Sequence, residues 1–218
     1  MRQVQRRSGS RPLYYMMVTA RVPSPSPPLI SINRPMHPRI TELTQYLDQQ
    51  RSVLTAACAA VAAARYRESP GVGRWSVVDV LEHLVIVERR LGASIGGWIA
   101  EEKGKGLPRE TDSSPILPTI NTDRFVDRSR RVQTSKASEP TGRVSIEDAM
   151  RTLGDARTAF KQMMTEGDGF ALALIVRPHP GLGPMHGYEW IAFVGGHMAR
   201  HALQIREIGT TLAASAGR

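Results

Sequence analysis

The residues of this chain best suited to chemistry are its histidines: His37, His83, His179, His186, His197 and His201. His197 and His201 are four apart in an apolar-patterned segment, so on a helix both point from one face, with about 6 Å of axial rise between them. Trp190, Val194, Ile205 and Ile208 share that face and mark it as the inward one. His83 sits beside Val80, Leu84 and Val87 in a second amphipathic segment and also turns inward. Three neutral imidazoles converging on one divalent ion suit zinc, nickel, copper or iron, and they leave coordination positions open to water or substrate. An open position is what separates a reactive metal centre from a closed structural one. The plainer alternative is three hydrogen-bonded core histidines. A zinc-protease helix is excluded, because Met198 stands after His197 where H-E-x-x-H requires glutamate.

Other chemistry-bearing residues read more modestly. Cys58 is the only cysteine and lies in an alanine run, which fits a small buried side chain better than a nucleophile. One cysteine excludes an intrachain disulfide framework and a cysteine-based zinc cluster, and it suits the reducing cytoplasm. Arg200 faces away from both neighbouring histidines and reads as half of a structural ion pair. Gln204 and Glu82 are placed to hydrogen-bond ligand histidines. His179 and His186 fall in a turn-rich loop, with lining of a site's mouth as the alternative, and His37 reads as solvated. Trp75 and Trp190 read as packing anchors. The cluster Arg124, Arg128, Arg130 and Arg131 reads as a solvated patch, with binding of a carboxylate or phosphate as the alternative.

The elements that position these residues are helical. From Thr41, Leu43, Leu47, Val53 or Leu54, Ala57 and Val61 recur at three- and four-residue steps, until Ser69-Pro70-Gly71 breaks the pattern. A second helix opens at Ser76, an N-cap followed by Asp79, and runs along Val80, Leu84, Val87, Leu91 and Ile95. Residues 107–144 are polar and interrupted by Pro108, Pro115, Pro118 and Pro140, with a short helix expected around Asn121–Val132. So long a connection is usually functional or disordered. Ser145 caps a third helix through Ala149, Leu153, Ala156 and Phe160, with Asp148 at the capping-box position. The last helix is expected from about Tyr188 to Leu212, and only Leu172–Val176 has strand character. The pattern is all-α: a four-helix bundle with a long crossover connection.

The chain has 218 residues, 41% hydrophobic and 22% charged, as expected of an ordinary globular domain. No apolar run is long enough to span a membrane. The net charge of +9 suggests nucleic acid until it is located: residues 1–35 hold six arginines and no acid. The remainder is near +3, which does not call for a polyanionic partner. Residues 1–35 are also proline-rich and read as a disordered basic extension, dispensable, or else a targeting peptide or an interaction arm. Residues 36–218 form the four-helix domain. The bias of 25 arginines to 4 lysines points to a GC-rich, bacterial source.

Several segments together carry a family resemblance. Gly73-Arg74-Trp75-Ser76 through Asp79-Val80-Leu81-Glu82-His83-Leu84 resembles the second-helix signature of the DinB-like (DinB/YfiT) four-helix metal proteins, whose W-S-x-x-[DE]-[VI]-x-x-H-[LI] run supplies a first histidine ligand. His197-Met198-Ala199-Arg200-His201-Ala202-Leu203-Gln204-Ile205 resembles the family's closing H-x-x-R-H-x-x-Q-I motif. Glu139–Arg157 and the His179–Met185 turn are similar to family segments in the same order, so the resemblance spans about residues 40–212. It implies metal ligands His83, His197 and His201 on zinc, nickel or iron. It also implies a thiol-dependent S-transferase or a hydrolase acting on a small molecule, with a low-molecular-weight thiol as a possible cosubstrate and a homodimer as a possible assembly. The alternative is a non-catalytic metal- or ligand-binding module, favoured by the absence of any evident general base beside the ligands.

Overall fold

A computed structural model of the chain describes residues 35–129 and 134–216. The basic extension, apart from Pro35, lies outside the described residues, as do Arg130 and Arg131. Among the described residues five α-helices follow in order: α1 (Pro38–Ala59), α2 (Val77–Gly104), the short α3 (Asp123–Val126), α4 (Ile146–Glu166) and α5 (Gly187–Ala216). The long helices form an all-α bundle in which α1 packs along α5 and α2 along α4, while α2–α5 and α1–α4 contacts close the ring.

Side-chain pairs set the helix directions. Gly195 on α5 faces Tyr46 and Leu47 on α1, and Gly209 faces Val61 just beyond it, so α1 and α5 run parallel. Gly92 faces Phe160 and Gly96 faces Met163, so α2 and α4 are parallel too. Trp98 meets Trp190 at 5.2 Å while His83 meets His201 at 4.9 Å, which makes α2 and α5 antiparallel. The order is up-down-down-up. The connection after α2 must therefore return the chain along the whole bundle before α4 can begin.

That connection is tied down along its course. Buried Arg39 on α1 bonds the Glu110 carboxylate at 2.9 Å, pairs with Asp112, and donates to the Ser114 carbonyl at 3.1 Å. The Glu42 carboxylate accepts the Ile116 amide at 2.7 Å. Ile116, Ile120 and Phe125 are buried in the core. Apolar side chains spaced among the prolines hold this segment to the bundle, and the expected helix around Asn121–Val132 shortens to α3 because Asp127 already leaves helical backbone.

Local signals explain the helix starts. Ser76 Oγ accepts the Asp79 amide while Asp79 Oδ2 accepts the Ser76 amide at 2.9 Å, a complete capping box. At α4, Ser145 Oγ accepts the Asp148 amide at 2.9 Å, but its hydroxyl, not its amide, bonds the Asp148 carboxylate. The expected extended stretch at Leu172–Val176 begins instead with a tight turn, Leu172–Leu174, that buries Leu172 and Ile175. An antiparallel hairpin follows, β1 (Val176–His179) with β2 (Gly183–His186), paired Val176 to His186 and His179 to Gly183.

Candidate metal centre

The start of α2 and the middle of α5 bring His83, His197 and His201 together, with one ligand-capable atom of each within 4.8 Å of the others. The Nε2 atoms converge: His197 Nε2 lies 3.4 Å from His83 Nε2 and 3.1 Å from His201 Nε2. For Zn–N bonds of 2.0–2.1 Å the edge of a coordination tetrahedron is about 3.3 Å, so this spacing fits a divalent ion held by three imidazoles.

The outer ring nitrogens decide which lone pairs face inward. His83 Nδ1 lies 2.7 Å from the Ser138 carbonyl, and His201 Nδ1 lies 2.8 Å from Gln204 Oε1. Carbonyl oxygens only accept, so each Nδ1 carries the proton and each Nε2 presents its lone pair. Burial also keeps the rings neutral. It lowers the pKa of His83, partly opposed by the Ser138 hydrogen bond. Burial and the neighbouring His83 hold His201 at about 3. His197 is crowded by protein although part of it meets solvent, and burial, then His201, then His83 push it well below its ordinary value.

The surroundings are built to hold these rings. Glu82 on α2 accepts the Thr141 hydroxyl at 2.7 Å and the Gly142 amide at 3.1 Å, fixing the segment that delivers the Ser138 carbonyl. Trp75 lies 4.9 Å from the His83 ring and 6.5 Å from His201, covering the cluster. A Cβ on Gly195 would stand 2.4 Å from the Tyr46 ring, and one on Gly196 would stand 2.4 Å from Phe125 Cβ. The glycine pair before His197 thus lets α1 and α3 close onto α5 beside the site.

Other residues meet the sequence expectations in some cases and depart from them in others. Gln204 does bond a ligand-candidate histidine, whereas Glu82 holds the neighbouring loop. His37 is partly buried, donating its amide to Asp168 at 2.7 Å and capping α1. His179 packs on Phe193 at 4.9 Å and Trp190 at 5.3 Å, and Phe193 in turn lies 5.6 Å from His197. His186 and Glu189 cap the start of α5 reciprocally: the His186 amide donates to Glu189 Oε2 at 2.9 Å and His186 Nδ1 accepts the Glu189 amide at 3.2 Å. Arg124 and Arg128 are anchored to α5, on Glu189 at 2.6 Å and Glu207 at 2.7 Å, so neither is simply solvated. Burial lowers the Arg200 pKa, with Arg128 adding to the effect and Asp127 opposing it. Cys58 is buried, and burial raises its thiol to about 11, which suits a packing residue.

Sequence reasoning missed Glu88. The apolar stripe of α2 was expected to pass through Val87 and Leu91, yet both are half-buried while Glu88 is 2% exposed. Its Oε1 lies 3.2 Å from Arg157 Nε on α4, close enough for ionic attraction but not aligned as a hydrogen bond. Arg157 turns Nη2 toward the Met198 sulfur at 3.0 Å. Burial raises the Glu88 carboxyl, with Arg157 and Arg51 pulling it back. Its signal in the sequence was a lone carboxylate four residues after Leu84, inside an otherwise apolar face.

No curated protein and no solved structure matches the chain. One family does: the model of the DinB superfamily matches residues 46–205, a span that contains all three histidines, the capping box of α2 and the crossover connection. The chain belongs to the DinB superfamily.

Proposed function

We propose that the protein binds one divalent ion, zinc, nickel or iron, on His83, His197 and His201, and uses it in thiol-dependent S-transfer to, or hydrolysis of, a small molecule. The observation that carries this reading is the convergence of three Nε2 atoms on one point, with the lone pairs of His83 and His201 turned there by carbonyl acceptors on the far side of each ring. A metal there supplies a lowered pKa for a thiol or water in the open position, and so a nucleophile at neutral pH. His83 and His201 orient the site through Ser138 and Gln204, and Trp75 lies against the His83 ring.

The test is metal content of the full chain beside the His197→Ala/His201→Ala variant. About one ion per chain, lost in the variant, is expected, followed by turnover in a screen pairing thiols with small electrophiles and hydrolysable esters or amides. An intact fold that takes up no zinc, nickel or iron would reduce the cluster to packed core histidines. Metal uptake with no turnover would favour a binding module.

A further inference from the structure

Of the three converging histidines, His83 and His201 are buried, and His197 is the one that meets solvent. A small molecule that reaches the cluster therefore comes in beside His197. One helical turn earlier on α5, Phe193 stands on the same face, its ring 5.6 Å from the His197 ring and inclined 32° to it. Trp190 and Val194 beside it are buried, whereas Phe193 is only half-buried. Its ring is held by neighbours from three elements. Phe125 on α3 meets it edge-on at 5.5 Å, His179 on the hairpin meets it at 4.9 Å, and Trp190 on α5 meets it at 6.1 Å. The His179 ring is itself fixed, because its Nδ1 accepts the Gly181 amide at 3.1 Å. Gly196 makes room for Phe125, since a Cβ there would stand 2.4 Å from Phe125 Cβ. An aromatic ring fixed in this way has little rotamer freedom left to lose when a flat partner packs on it.

We propose that Phe193 determines which small molecule the cluster accepts, by packing against a flat, unsaturated group carried next to the ligand's reacting atom. The preferred ligand class is aromatic or conjugated rather than aliphatic. This inference rests on the metal reading above and adds the substrate class to it. Paired rings gain a factor of about five beyond the burial of equal apolar area, so the preference is measurable by binding alone.

The test compares two thiols of similar size, one flat and one not, with sulfur standing for the reacting atom. The full chain is loaded with cobalt(II) and titrated with benzyl mercaptan and with cyclohexylmethanethiol, and thiolate–cobalt absorption follows occupancy. The quantity read is the ratio of the two dissociation constants in wild type and in Phe193→Leu, so the difference in acidity between the thiols cancels. In Phe193→Leu the ratio should shift about fivefold toward the cyclohexyl thiol, while affinity for 2-mercaptoethanol stays within about twofold. Should Phe193→Leu fail to fold, Phe193→Met fills the volume with a flexible chain and gives the same reading. An unchanged ratio overturns the role of Phe193, and so does an equal loss of affinity for all three thiols; either result leaves the metal site standing. Failure of the folded wild type to take up cobalt overturns both readings.

Discussion

The metal-free protein is expected to lose stability in mild acid through its ligand-candidate histidines. His201 is the clearest case, because burial and His83 hold its imidazole at about 3 against an ordinary 6.5. Above pH 6.5 the ring is neutral in both folded and unfolded chains, and stability there does not depend on its titration. As pH falls below 6.5 the unfolded chain takes up a proton that the folded ring refuses, so stability drops until pH reaches the folded value. At pH 5 the unfolded ring is about 1.5 units below its own pKa, which at 1.36 kcal/mol per unit is a loss of about 2 kcal/mol. The perturbation that isolates this contribution is His201→Gln, which cannot titrate. The assay is urea unfolding of chelator-treated protein at pH 7 and pH 5, with the denaturant slope checked for constancy. The wild type should lose about 2 kcal/mol more than the variant between the two pH values. An identical pH dependence in both proteins would refute the claim that His201 is held neutral by the fold, and with it the lone-pair argument for the site.

Two further outcomes follow from the geometry around the cluster. Gln204→Leu removes the acceptor on His201 Nδ1 and should weaken zinc affinity by about 10–100-fold, read by chelator competition, while the thermal midpoint of the metal-free protein changes little. Gly196→Ala places a methyl group 2.4 Å from Phe125 Cβ and should destabilise the domain by about 1–3 kcal/mol in the same urea assay, since backbone on both sides limits relief.

Much of the bundle was legible because its cues are local. Heptad-like spacing from Leu43 to Val61 and from Ile146 to Phe160, the Ser76 and Ser145 caps, and the glycines after Glu166 each act within a few residues. The convergence of His197 and His201 was legible for the same reason, being one helical turn apart. What the sequence did not disclose depends on distant partners. The crossover read as a connection either functional or disordered, and what decides it is distant: Arg39 and Glu42 on α1 anchor it across more than 70 positions. The β1–β2 hairpin was hidden because its strands carry Pro178 and Pro184 opposite one another and have little apolar alternation. Glu88 was hidden because its meaning lies in Arg157, on a helix that only the fold brings near.

The up-down-down-up order gives these separate observations one cause. Parallel α2 and α4 force the chain to travel back along the bundle between them, and that return brings Ser138 to His83 and Thr141 to Glu82. A hairpin-connected bundle would leave the outer nitrogen of His83 to water, with its tautomer unfixed. The same parallel pairing sets Arg157 of α4 level with Glu88 of α2, on the side of the bundle where α5 carries His197 and Met198. The long connection and the buried ion pair are therefore two consequences of one topology. One orients the lone pair of His83 toward the histidine cluster, and the other buries Glu88 against Arg157.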